Sequence, residues 1–336
     1  MKRSRLITVL RDPRTERFAW RILGCLPEWL LAPLAASLAQ CRPLGRYPGW
    51  RFGIEEESPT VLMLLRRWFW AHFKNSGIER PVRITWFDGL QLDVVLGNDQ
   101  SRCLYVGGSI EPNELAFVGR FLRPGMVAVD AGANEGWFST FMARRVGPDG
   151  LVLAVEPSQR ERTRLVRNLS INGMGNVHVA SEGLGAGAGH AVLHIADPEH
   201  NGQNTLGRFV YEGVRSAGDV EIKLQRLDEL AGQLGRRIDL IKIDVEGAEL
   251  AVLRGAEQIL KESKPVILFE LLDAALRAQG SSACEVLEFL KQRGFSILRF
   301  EADGTLAPLA GLEDASSNLV AVPDARVGDV IANSRE

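Results

Sequence analysis

The sequence predicts an α/β fold: a mostly parallel sheet with helices on both faces, preceded by a helical N-terminal extension. Three observations predict it. From about residue 111, short apolar runs alternate with helix-like segments, the pattern of parallel strands joined by crossover helices. The stretch VAVDAGANEGWFS at 127–139 reads as a strand, a tight glycine loop and a helix N-terminus, the place where such folds hold nucleotide-like ligands. Four strand-like runs end in an acid, at Asp130, Glu156, Asp244 and Glu270. Ligands of open parallel sheets bind beyond the carboxyl ends of the strands, so these four carboxylates are expected to ring one crevice.

The elements follow in order. Residues 1–80 read as helical and irregular, and residues 81–336 as the main domain, with its core at 111–323. Within 82–96, Asp88-Gly89 sits between two alternating runs, a hairpin signature. A helix is predicted at 111–122, a strand at 127–130 and a helix at 137–146. Gly147-Pro148-Asp149-Gly150 is a turn. Strand 151–155 precedes a helix with Pro157 at its first position, running to about Asn172. Strand 177–180 and a hairpin of 191–195 with 220–227 come next. Strand 239–243 leads to a helix at 247–262, which sets Leu250, Leu253, Ala256 and Leu260 on one face. Strand 266–269, a helix at 283–293 and strands at 295–300 and 318–322 close the chain.

Charge is unevenly distributed. Residues 1–80 hold 14 Lys/Arg and 7 Asp/Glu, a balance of +7, whereas 81–336 hold 26 and 35, a balance of −9. An acidic main domain argues against a nucleic-acid substrate gripped through its phosphates. The basic N-terminal region suits an anionic surface or the acidic remainder. Residues 22–39 are apolar but interrupted by Pro27, Glu28 and Pro33, so they read as short packed or interfacial helices rather than a span. Residues 61–74 mix apolar and basic side chains, the pattern of a helix lying on a membrane or, more commonly, docked on its own domain. No secretory signal is read, because the apolar ITVL after Lys2, Arg3 and Arg5 is broken at Arg11-Asp12-Pro13. A cytoplasmic protein is the expectation, with peripheral contact at the inner membrane face through 1–80 left open. Cys25, Cys41, Cys103 and Cys284 form no C-x-x-C pair and the five histidines no zinc spacing; isolated buried thiols are expected.

The chemistry is legible at two motifs. A dinucleotide fingerprint requires three glycines, whereas this loop offers Gly132 and Gly136 with Asp130 two residues before the first. A carboxylate there repels a pyrophosphate and suits a cationic ligand such as S-adenosylmethionine (SAM), which weighs against a nicotinamide cofactor. Glu156 lies 26 residues past Asp130 at the next strand end, where a carboxylate accepts from ribose hydroxyls. In KIDVEGAEL at 242–250, Glu246 and Glu249 occupy a first helical turn, where acids are favoured. Asp244 directly follows an apolar strand and must face the crevice or a partner. Asp244, Glu246 and Glu270 can act as a general base on a hydroxyl or share a hard cation such as Mg²⁺; spacing does not separate these.

These residues, with AVEP at 154–157, NLSIN at 168–172, LIKIDVEGAELAVLRGA at 240–256, FDGLQLDV at 87–94 and LYVGGSIEPNE at 104–114, resemble the FkbM-type family of SAM-dependent methyltransferases over about 87–300. The resemblance implies a Rossmann-like class I methyltransferase with a seven-stranded sheet whose last strand is antiparallel. It implies SAM held at Asp130, Gly132, Asn134 and Gly136, with Glu156 on the ribose. It implies O-methylation of a sugar, glycan or polyketide-type metabolite; the alternative is a SAM-binding scaffold or non-catalytic homologue of the same fold, against which the acids at all four strand ends weigh. NGQNTL at 201–206 resembles a family stretch near the ligand. After the third strand, Gly183-Leu184-Gly185-Ala186 replaces the family's polar run, leaving Ser181 and Glu182 as the adenine-side candidates.

Overall fold

A computed structural model describes residues 2–39, 60–314 and 318–335. The chain divides into two units.

The first unit holds the described residues up to Pro112 together with Pro198–Asn201. Helices α1 (Lys2–Arg11), α2 (Pro13–Gly24) and α3 (Glu28–Leu38) precede α4 (Val61–Ser76). Thr60 caps α4 by accepting the Met63 amide at 3.2 Å, and Gly77 ends it at φ +63°. Helix α4 is a docked helix, with Met63, Leu64, Trp68, Trp70 and Phe73 all buried. Each such side chain contributes about 1.5–3 kcal/mol by leaving water. Arg66 is buried with them, its Nε donating to the Leu38 carbonyl at 2.8 Å. The hairpin forms as predicted from β1 (Val82–Thr85) and β2 (Gln91–Val94), and Asp88 and Gly89 turn it with φ of +55° and +74°.

The second unit is built on an eight-stranded sheet. Its elements are α5 (Pro112–Phe121), β3 (Val127–Ala131), α6 (Trp137–Val146), β4 (Leu151–Val155), α7 (Gln159–Ile171), β5 (Val177–Ala180), β6 (Gly183–Leu184), β7 (Gly189–Ala196), β8 (Ser216–Gln225), α8 (Leu227–Gly232), β9 (Leu240–Ile243), α9 (Glu249–Arg254), α10 (Glu257–Glu262), β10 (Val266–Glu270), α11 (Asp273–Ala278), α12 (Ala283–Lys291), β11 (Phe295–Phe300), β12 (Leu306–Pro308), β13 (Asn318–Pro323) and α13 (Val327–Asn333). The strand order is β12-β11-β13-β10-β9-β3-β4-β5. Strands β5, β4, β3, β9 and β10 run parallel, and β13 is antiparallel to both neighbours. Along β4, Leu153 and Val155 enter one apolar cluster and Ala154 another, so both faces are covered.

Four expectations are corrected. The sheet has eight strands rather than seven, because the three-residue β12 pairs antiparallel with β11 at the edge. The helix predicted at 247–262 is two helices, α9 and α10, broken at Gly255. A Cβ at Gly255 would lie 2.2 Å from the Gly185 carbonyl oxygen, so the break admits a close backbone approach. Pro157 precedes α7 by two residues, with Ser158 at the N-cap. Cys25 and Cys284 are exposed rather than buried; Cys41 lies outside the described residues. Strands β7 and β8 form a long hairpin with β6 beside β8, a separate three-stranded sheet.

Candidate active site

The strand order places β10, β9, β3 and β4 side by side. Glu270, Asp244, Asp130 and Glu156 therefore stand in a row along one carboxyl edge.

Two glycines let the edge close up. Gly132 has φ +82°, and a Cβ there would lie 1.8 Å from the Asp244 carbonyl oxygen. Only glycine lets the loop after β3 touch the end of β9. Gly136, at φ +82°, caps α6 against Leu165.

Asp130 is fully buried. Its Oδ2 accepts from Ser139 Oγ at 2.6 Å, and its Oδ1 has no partner. Burial pushes its carboxyl pKa up, opposed first by the charge of Lys242. Glu156 is also buried, and its two oxygens accept the amides of Asn134 and Ser158, each at 2.8 Å. Asn134 itself takes a left-handed backbone, φ +48°. Glu156 thus braces the glycine loop, and burial pushes its pKa up to about 8. At the end of β5, Ser181 is exposed and Glu182 half-buried, the Ser181 amide donating to Glu182 Oε2 at 3.0 Å.

The second motif converges as well. Asp244, Glu246 and Glu270 bring carboxylate oxygens within 4.8 Å of one another. Glu246 is half-buried by surface area, but the protein encloses its carboxyl. Desolvation, then the charges of Glu270 and Asp244, raise its pKa well above the usual range. Its backbone is left-handed, φ +52°, and its carbonyl accepts from Thr205 Oγ1 and Gln279 Nε2, both at 2.8 Å. At Gly247, φ is +105° and a Cβ would meet the Ala275 carbonyl oxygen at 2.4 Å.

Several contributors escaped sequence reasoning. Lys242 is buried in β9 with its Nζ 2.8 Å from Asp244 Oδ2 and 4.8 Å from the Phe138 ring centroid. A lysine inside the apolar run LIKI was the available signal, since a buried ammonium needs carboxylate partners. Glu114, in the first turn of α5, accepts from Asn318 Nδ2 at 3.2 Å, and burial raises its pKa. Tyr211 lies near the cluster: desolvation, then Glu246 and Glu270, raise its hydroxyl pKa. No pattern in the sequence ties Thr205, Tyr211 or Gln279 to the acids, because loops bring them there.

A doubly covered parallel sheet of this order, with an acid-tipped glycine loop opening its first crossover, is the architecture of a class I SAM-dependent methyltransferase. The chain belongs to the FkbM methyltransferase family: residues 130–297, half of its 336, match the Methyltransferase FkbM domain. It is 32% identical over 203 residues to Methyltransferase sdnD of Sordaria araneosa, covering 52% of this chain and 75% of that one. It is 27% identical over 185 residues to Methyltransferase 1 of Beauveria bassiana, covering 50% and 72%. A 210-residue stretch is 29% identical to AMB antimetabolite synthetase AmbE of Pseudomonas aeruginosa, 53% of this chain but 10% of that protein.

Proposed function

We propose that this methyltransferase acts on a hydroxyl of a small metabolite, sugar or glycan, with Glu246 as the general base. The convergence of Asp244, Glu246 and Glu270 within 4.8 Å carries the reading. A hydroxyl must lose its proton as it attacks, and a carboxylate serves best when its pKa lies near the working pH. Burial, then the charges of Glu270 and Asp244, raise Glu246 in that direction.

The residues present fit SAM. The unpartnered Asp130 Oδ1 is a buried acceptor, suited to the donor's ammonium group. Asp130, Gly132, Asn134 and Gly136 would hold the methionine side, Glu156 the ribose, and Ser181 or Glu182 the adenine side. When bound, SAM supplies an activated methyl group, so the protein's task is alignment and proton removal. Lys242 orients the Asp244 carboxylate through its 2.8 Å ion pair while Glu246 takes the acceptor's proton.

A second reading uses the same three carboxylates as oxygen ligands for Mg²⁺, a donor set that suits a hard cation. The Lys242 ammonium already beside Asp244 favours the base reading. The test is turnover against a panel of hydroxylated acceptors, with and without EDTA. Glu246→Gln should cut turnover by about 10²–10⁴-fold while still binding S-adenosylhomocysteine. Loss of wild-type activity in EDTA, restored by Mg²⁺, would favour the metal.

A further inference from the structure

We infer that helices α1–α3 form a face that docks on an anionic lipid bilayer. Among the described residues, eleven large apolar side chains are well exposed, and six of them (Leu6, Val9, Phe18, Ile22, Trp29 and Leu34) fall within residues 6–34. Contiguous exposed apolar area marks an interaction surface, and these six side chains fall within 29 residues of sequence. Phe18 and Trp29 are the most open, at 65% and 64% exposure. The sequence here is basic: residues 2–24 carry seven Lys/Arg and two Asp/Glu.

Helix α2 shows how the face is built. At roughly 100° per residue, Phe18, Ile22, Arg14, Arg17 and Arg21 share an arc of about 140°. All five are exposed. The opposite side is occupied: Leu23 is buried, and Glu16 pairs with Arg67 of α4 at 3.7 Å. An apolar stripe edged by arginines is the pattern of a helix lying in a membrane interface, with aromatic rings in the acyl boundary and guanidinium groups at the phosphates. No helix among the described residues is long and apolar enough to cross a membrane, which leaves the interfacial mode. A second copy fits less well, because a symmetric contact on this stripe sets Arg14, Arg17 and Arg21 against their own equivalents.

The test is co-sedimentation of the full chain with phosphatidylcholine vesicles, with and without phosphatidylglycerol. The wild type is expected to sediment with the anionic vesicles, and raised salt should weaken it. Arg14→Gln/Arg17→Gln/Arg21→Gln should bind about a hundredfold more weakly, and Phe18→Ser/Trp29→Ser roughly tenfold or more. Circular dichroism and S-adenosylhomocysteine binding check that each variant folds; either variant suffices if the other does not. Wild-type protein left in the supernatant, or both folded variants binding like wild type, would overturn the inference. So would variants that turn a dimer into a monomer by light scattering while vesicle binding stays unchanged.

Discussion

Lys242 and Asp244 sit two residues apart at the end of β9, and the Lys242 ammonium lies 2.8 Å from the Asp244 carboxylate. Lys242 is also the leading charge opposing the upward shift of the buried Asp130, its register partner on β3. One ammonium therefore serves the acids of both motifs.

Lys242→Met should leave those carboxylates short of a cation. Removing one partner of a buried pair is destabilising, but Asp244 is about a third exposed, so a loss of about 1–3 kcal/mol is expected. The carboxyls of Asp130 and Glu246, which Lys242 holds down, should move further up. Calorimetry should show the lower melting point, and the acid limb of the pH–rate profile should move to higher pH.

Asp244→Asn and Glu246→Gln keep shape and remove charge. Turnover should fall by about 10²–10⁴-fold, with S-adenosylhomocysteine still bound. Unchanged turnover in Glu246→Gln would remove it as the base.

The clasp on the Glu246 carbonyl should matter without touching the reacting atoms. Thr205→Val deletes one of the two 2.8 Å hydrogen bonds that hold this left-handed turn. A fall in kcat of roughly tenfold, about 1.4 kcal/mol, is expected, with binding of S-adenosylhomocysteine preserved. Thr205→Ser, which keeps the hydroxyl, should restore the rate. A Thr205→Ser variant as slow as Thr205→Val would contradict the role given to this hydrogen bond.

Stability should depend on pH through Glu249. This buried acid has one oxygen on the Gly247 amide and the other unpartnered, and burial pushes its pKa from 4.5 up to about 7. The folded state therefore holds the proton more tightly than the unfolded chain. Its stabilising effect is full below about pH 4.5 and is lost as pH rises through about 7. Glu249→Gln should flatten that fall and gain on the order of 2 kcal/mol at pH 8. A residual slope from Glu156 should remain, since its pKa is also raised. Melting curves of the ligand-free protein across pH 5–9 check it.

The parallel core was legible because its strands are short apolar runs punctuated by glycine and acids, and β3, α6, β4 and β5 form where periodicity puts them. The row of strand-end acids was legible for the same reason: position after a buried strand fixes which edge a residue joins. What was not legible depends on distance in space. The three-residue β12 carries too little pattern to read. Gly255 breaks a helix whose apolar face continues unbroken through Ala256 and Leu260, because the reason for the break lies at Gly185. Thr205 and Gln279 meet Glu246 across 41 and 33 residues. Lys242 stands inside an apolar run, and its partners Asp130 and Asp244 are set by strand register and the loop after β9 rather than by any local pattern.

The most direct test is calorimetric titration of S-adenosylhomocysteine, SAM and NAD into the wild type and Asp130→Asn. The wild type is expected to bind both adenosyl ligands and not NAD, and Asp130→Asn, still folded, to bind SAM at least about tenfold more weakly. Equal SAM binding by the two proteins, or NAD binding by the wild type, would contradict the assignment of the carboxyl-edge crevice.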